Sequence, residues 1–196
     1  MMKIVNNRID FLNEVKTLLP DNPTCIEIGV EKGDFSKLLI QYLTPKKLFL
    51  VDPWQTGHDK NSEPNYGTVL NSLPTAYSTE QDYVSILNHF YKDIKSNKVI
   101  VRPDFSYNVV DDFPDNYFDF IYIDSCHLYD SVKADLNDFL PKLKVDGIMA
   151  GHDYFNFDNF GVIRAVDEFC IEHGFEKIVM AQPSWDWALR KTNLNF

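Results

Sequence analysis

No stretch of this sequence holds the roughly 18 consecutive apolar residues that a membrane-crossing helix requires, so a spanning helix is excluded. The opening Met1–Leu12 segment also lacks a continuous apolar run followed by small residues, which argues against a secretory signal. Cysteine is scarce. Cys25, Cys126 and Cys170 form no C-x-x-C pair, and an odd count without a secretion signal points to reduced thiols and a cytoplasmic location. Cys25 and Cys170 sit among apolar neighbours and read as core residues. Positive charge is also in deficit: 19 Lys and Arg face 29 Asp and Glu, a formal net charge of −10. The densest basic cluster, Lys142 and Lys144 with Lys133 upstream, is interrupted by acidic residues. A nucleic-acid surface needs clustered cations, so neither nucleic acid nor an anionic membrane is an expected partner. A small-molecule substrate is expected, and a homo-oligomer is compatible with the sequence.

What is present is an ordinary globular composition, 44% apolar and 24% charged. Its 196 residues suffice for one well-buried core, so a single domain is expected over residues 1–196. Ile9, Leu12, Val15 and Leu19 predict a helix within the N-terminal segment 1–22, closed by Pro20. Strands are expected at 24–28, 48–51, 99–101, 118–123, 148–150, 175–181 and 185–190. Between them, apolar residues at helical spacing predict helices over 35–43, from Thr79 to Ile94, over 128–143 and over 162–173. Thr79 and Asp82 resemble a capping box. Residues 53–78 are polar and rich in Pro, Gly, Asn and Ser, and read as a long loop of the kind that serves as a lid or is disordered. The alternation implies an α/β fold: a seven-stranded, mostly parallel sheet with helices on both faces and its last strand antiparallel.

Chemistry-bearing residues collect where these strands end. Glu27-Ile28-Gly29-Val30-Glu31-Lys32-Gly33 joins the first of the seven strands to its helix, where an open α/β sheet binds ligands; a purely structural turn would use the same glycines. Asp52 ends the next strand, where a carboxylate can accept both hydroxyls of an adenosine ribose; the alternative is a turn residue before Pro53. The dinucleotide pattern G-x-G-x-x-G is absent, because Glu31 stands at its second glycine, which disfavours an NAD-type dehydrogenase. Glu27 would repel a pyrophosphate yet suit an ammonium. Together these features favour the sulfonium cofactor S-adenosylmethionine. Asp124 and Asp153 each follow a strand, with one helix between. If those strands are neighbours, about 4.8 Å apart, both carboxylates enter one cleft. Oxygen ligands there suit a divalent cation, Mg²⁺ first, with His152 able to join; the alternative is a pair of helix caps. His127 lies at the same cleft mouth and could serve as general base or face solvent as an ordinary histidine.

The runs Y-I-D-S-C-H-L-Y-D-S-V-K-A-D-L at 122–136 and L-K-V-D-G-I-M-A-G-H-D-Y at 143–154 resemble class I, Rossmann-like methyltransferases of the catechol and macrocin O-methyltransferase type. E-I-G-V-E-K-G-D-F-S at 27–36 and V-D-P-W at 51–54 fit the same group. The resemblance implies that Glu27, Gly29, Gly33 and Ser36 hold the methionine end of the cofactor and Asp52 its ribose. It implies that Pro53, Trp54, Asp104 and Phe105 border the adenine, with Asp124 also lining the cofactor site. Asp124, His152 and Asp153 match metal-ligand positions, and His127 matches the catalytic base, which is often lysine in relatives. Relatives often carry an acidic or amide side chain where His152 stands. The expected reaction is metal-assisted O-methylation of a hydroxyl on a small molecule or sugar; a non-catalytic S-adenosylmethionine-binding protein is the alternative.

Overall fold

A computed structural model describes residues 2–54, 79–157 and 160–192. Most of the expected 53–78 loop lies outside these residues. The chain runs β1 (Lys3–Val5), α1 (Arg8–Leu18), β2 (Thr24–Ile28), α2 (Asp34–Leu38) and a π-helical turn (Leu39–Leu43), then β3 (Lys47–Val51). It continues as α3 (Glu80–His89), α4 (Tyr91–Lys95), β4 (Val99–Arg102), α5 (Ser106–Val109), β5 (Phe118–Ile123) and α6 (Tyr129–Phe139). The last elements are β6 (Leu143–Gly151), α7 (Val162–His173), β7 (Phe175–Ala181) and β8 (Trp187–Lys191).

The strands form one eight-stranded sheet in the order β1-β7-β8-β6-β5-β2-β3-β4. Every pairing is parallel except those of β8, which runs antiparallel to both β6 and β7. From β2 the chain builds outward through β3 to β4, then crosses back to place β5 on the other side of β2. That reversal is the switch point where such sheets open a ligand crevice. Alternation along the strands divides the core. Ile26, Ile28, Ile121 and Ile123 pack with Leu136 and Phe169 on the α6 and α7 side. Cys25, Leu48, Leu50, Phe120 and Tyr122 pack with Phe11, Leu12 and Phe35 on the α1 and α2 side.

The sequence reading needs four corrections. The sheet has eight strands, not seven, because β1 precedes the first helix and pairs with Val179–Ala181 of β7. Only Val5 of its three residues is buried, so β1 carries no alternation to detect. The N-terminal helix is consequently shorter than its segment, starting at Arg8 after Asn7, whose side chain accepts the Asp10 N–H. The helix expected from Thr79 to Ile94 is two helices, broken at Phe90, where ψ rises to 14°. Its start is as expected, with Thr79 and Asp82 exchanging capping-box hydrogen bonds. Finally, β6 begins at Leu143 rather than Ile148; its Val145 and Asp146 are exposed, so the apolar pattern registers only at the buried end. Among the described residues no helix is long and apolar enough to cross a membrane.

Candidate active site

The loop after β2 is shaped by two glycines. Gly29 has φ of 85°, and a Cβ there would lie 2.1 Å from the Asp124 carbonyl oxygen, while the Asp124 N–H donates to the Ile28 carbonyl at 2.8 Å. Only glycine permits this approach of the β2 and β5 ends. Gly33 has φ of 73°, and its Cβ would meet Ile86 of α3 at 2.4 Å. Gly29 is therefore required by packing against backbone, and Gly33 by its left-handed φ.

Asp52, at the tip of β3, is buried and holds this loop in place. Its Oδ2 accepts the Val30 and Glu31 N–H groups, each at 2.9 Å, and Oδ1 accepts the Trp54 N–H at 2.8 Å. A carboxylate has about four acceptor positions, and these main-chain bonds occupy most of them. Trp54 is fully buried, its indole N–H donating to the Glu31 carbonyl at 2.9 Å. The structure thus puts Trp54 beneath the loop and leaves Pro53 half-buried beside it. Asp104 and Phe105 follow β4, the neighbour of β3, with Asp104 accepting from Phe105 N–H and Asn108 at the start of α5.

Glu27 is buried on the α1 and α2 face, and Ser36 donates to its Oε2 at 2.5 Å. Ser36 is itself fully buried, so it orients Glu27 rather than facing the crevice. Burial holds the Glu27 carboxyl well above the ordinary carboxylate range, with the Ser36 hydrogen bond and the Arg8 charge pulling partly back. An ammonium placed beside it would offset that burial cost. A buried acid at the sheet's switch point, with Asp52 on the adjacent strand, fits the cationic methionine end of S-adenosylmethionine better than a phosphate.

Across the crevice, β5 and β6 are neighbouring parallel strands, and their ends bring Asp124, His152 and Asp153 together. One ligand atom from each lies within 4.8 Å of the others, a donor set of two carboxylates and an imidazole that fits a divalent cation. His127 joins them: its Nε2 lies 2.8 Å from Asp153 Oδ2 and 3.7 Å from Asp124 Oδ1. His152 Nδ1 is 3.0 Å from Asp153 Oδ1. Burial lowers the His127 pKa, but the hydrogen bonds and charges of Asp124 and Asp153 outweigh it and push the imidazole up to about 10. Burial likewise opposes ionisation of Asp153, yet the two histidines hold it below the ordinary carboxylate range. Asp124 is raised by burial. With both carboxylates facing it, His127 holds its proton more tightly than an ordinary imidazole does.

Sequence reasoning missed the surroundings of His127. Its ring lies 4.6 Å from Phe160, which meets Phe157 at 5.4 Å and Phe155 at 5.6 Å; Phe155 in turn stacks on Trp185 at 5.8 Å. The Tyr154 N–H donates to the Trp185 carbonyl, tying this segment to the β7–β8 turn. The density of Phe in 155–160 was the available signal. The segment has no helical or strand period, so it read only as a connection.

Residues 26–154 match a family described as a methyltransferase domain. No curated protein sequence matches the chain significantly. Among solved structures, a Corynebacterium glutamicum protein superposes with a TM-score of 0.65 at 12% identity, over 96% of this chain and 82% of that one. A candidate methyltransferase from Streptococcus mutans, in complex with S-adenosylhomocysteine, gives 0.61 at 13% identity over 94% and 97%. An rRNA methylase from Streptococcus thermophilus gives 0.58 at 15% over 94% and 94%. The structural likeness is one of fold; the family match spans most of the chain and contains the glycine loop, Asp52, Asp124, His127 and Asp153. The protein belongs to the methyltransferase-domain family and is a class I, S-adenosylmethionine-dependent methyltransferase.

Proposed function

We propose that the protein methylates a hydroxyl oxygen of a small molecule, with a divalent cation held by Asp124, His152 and Asp153. The observation that carries this reading is the convergence of those three ligand atoms, within 4.8 Å of one another, on the sheet edge that also holds Glu27. Bound S-adenosylmethionine supplies an electrophilic methyl group, and a bound divalent cation supplies Lewis acidity toward a hydroxyl. Glu27 accepts the ammonium of the methionine end. Asp52 holds the loop that faces the adenosine. His127, 2.8 Å from Asp153, can accept a hydroxyl proton at Nε2 once the two carboxylates' charge is balanced from elsewhere. Cation and imidazolium proton thus compete for the same two carboxylates. Phe160 and its aromatic neighbours supply an apolar wall beside His127 for the carbon skeleton of the acceptor. Holding two reactants in line can contribute about 7–11 kcal/mol, so positioning is the main task of these residues. The net charge of −10 favours a small acceptor over RNA.

The test is calorimetry with S-adenosylhomocysteine and NAD, followed by methyl transfer to a panel of phenolic and sugar hydroxyls and amines with Mg²⁺ or with excess chelator. Asp124→Asn and Asp153→Asn are expected to remove the response to Mg²⁺ while S-adenosylhomocysteine still binds. Full turnover in excess chelator would refute the cation's role, transfer only to nitrogen acceptors would refute O-methylation, and tighter binding of NAD would refute the cofactor.

A further inference from the structure

An α-amino acid head carries two charges, and Glu27 answers only one of them. A cation on the same face whose charge reaches Glu27 is Arg8, the first residue of α1, which lies over Phe35. Its placement follows from the sheet. Glu27 and Tyr122 are register partners on parallel strands, so their side chains share the α1 and α2 face. The Tyr122 hydroxyl donates to Asp186 Oδ1 at 2.5 Å, and Arg8 Nε approaches the two Asp186 oxygens at 3.0 and 3.3 Å. The guanidinium lies over Phe35, 4.8 Å from the ring centroid, and Phe35 stacks on Tyr122 at 3.9 Å. Phe35 adjoins Ser36, the residue that donates to Glu27.

Neutralising the fully buried Asp186 is one evident task of Arg8, but it uses a single nitrogen. Guanidinium has five N–H donors. Among the described residues neither Nη group has a hydrogen-bond partner, and the side chain is 26% exposed. Arg8 is therefore pinned through Nε and Phe35 with its two-pronged end uncommitted, close enough to Glu27 and Asp124 for their charges to interact. Two parallel N–H groups are the geometry that receives a carboxylate.

We propose that Arg8 and Glu27 form a clamp for the zwitterionic head of the cofactor, Glu27 taking the α-ammonium and Arg8 Nη groups the α-carboxylate. This rests on the reading that S-adenosylmethionine binds beside Glu27. It makes α1 part of the cofactor site, and it makes the site selective for adenosyl compounds that retain the carboxylate.

The experiment is calorimetry with three probes: S-adenosylhomocysteine, its decarboxylated amine, and methylthioadenosine, which lacks the whole head. Wild type is expected to bind S-adenosylhomocysteine roughly 10- to 100-fold more tightly than the amine, as the loss of a charge-assisted carboxylate contact implies. Arg8→Gln should reduce that preference to within roughly twofold and leave methylthioadenosine affinity unchanged, with Arg8→Lys intermediate. Equal wild-type affinity for S-adenosylhomocysteine and the amine overturns the clamp, and needs no variant to fold. Equal weakening of all three probes in Arg8→Gln also overturns it, leaving Arg8 a support for Asp186. An unchanged S-adenosylhomocysteine affinity with a raised KM for carboxylate-bearing acceptors would place the anion on the acceptor and refute the clamp. If wild type binds none of the three, the cofactor reading itself fails, a result distinct from loss of carboxylate preference alone.

Discussion

Asp52→Asn is expected to destabilise the ligand-free protein, a consequence that a purely ligand-facing carboxylate would not have. The Asp52 carboxylate accepts three main-chain N–H groups, from Val30, Glu31 and Trp54, at 2.8 to 2.9 Å. Asparagine offers one oxygen and one NH₂ group. If the oxygen stays with Val30 and Glu31, those two bonds lose their charge assistance, about 1 kcal/mol each from the difference between charged and neutral bonds. The NH₂ then faces the Trp54 N–H, donor against donor, and a buried amide goes unpaired at a cost of about 1–3 kcal/mol. The total is about 3–5 kcal/mol. For a chain of this size each kcal/mol lowers Tm by about 2–4 °C, so a fall of about 10 °C is expected in differential scanning calorimetry without cofactor. A change under about 2 °C would show that the loop does not depend on this carboxylate, and would return Asp52 to a role confined to the ligand.

Gly29→Ala combines a left-handed φ with a Cβ only 2.1 Å from the Asp124 carbonyl oxygen; strain and overpacking together should cost about 2–5 kcal/mol, read by urea denaturation, and a loss below about 1 kcal/mol would contradict the close approach. The His127 ring protons, followed by NMR without divalent cation, should titrate near 10 rather than at the ordinary 6.5. Because the folded value is raised, its contribution to stability is complete below about pH 6.5 and disappears as pH rises through about 10. A midpoint near 6.5 would mean that Asp124 and Asp153 do not face the imidazole together.

The parallel core was legible because β2, β3 and β5 are buried along their lengths, and continuous apolar runs bounded by turns announce such strands. Asp124 and Asp153 could be brought together on paper because one helix separates two adjacent strands. Other features depend on partners that spacing does not reveal. Arg8 meets Asp186 from the opposite end of the chain, and no periodicity joins them. The resemblance implies that Trp54 borders the adenine; its indole instead donates to the Glu31 carbonyl and its ring meets Tyr83, both contributed by other segments. Asp52 is a candidate ribose ligand or turn residue from its position at a strand tip, and its bonds to Val30, Glu31 and Trp54 require the folded glycine loop before they exist.

The three-residue strand β1 carries an implication for handling the protein. Without it, the seven residues of β7, four of them buried, would form the outer edge of the sheet, and a bare edge is a template for pairing with another chain. β1 covers the end of that edge at Val179–Ala181 and is too short to offer a comparable template itself. Trimming the first seven residues to tidy an expression clone would therefore uncover β7 and favour edge-to-edge aggregation. It would also place Arg8 on a frayed terminus, so solubility and cofactor selectivity would be lost by the same cut.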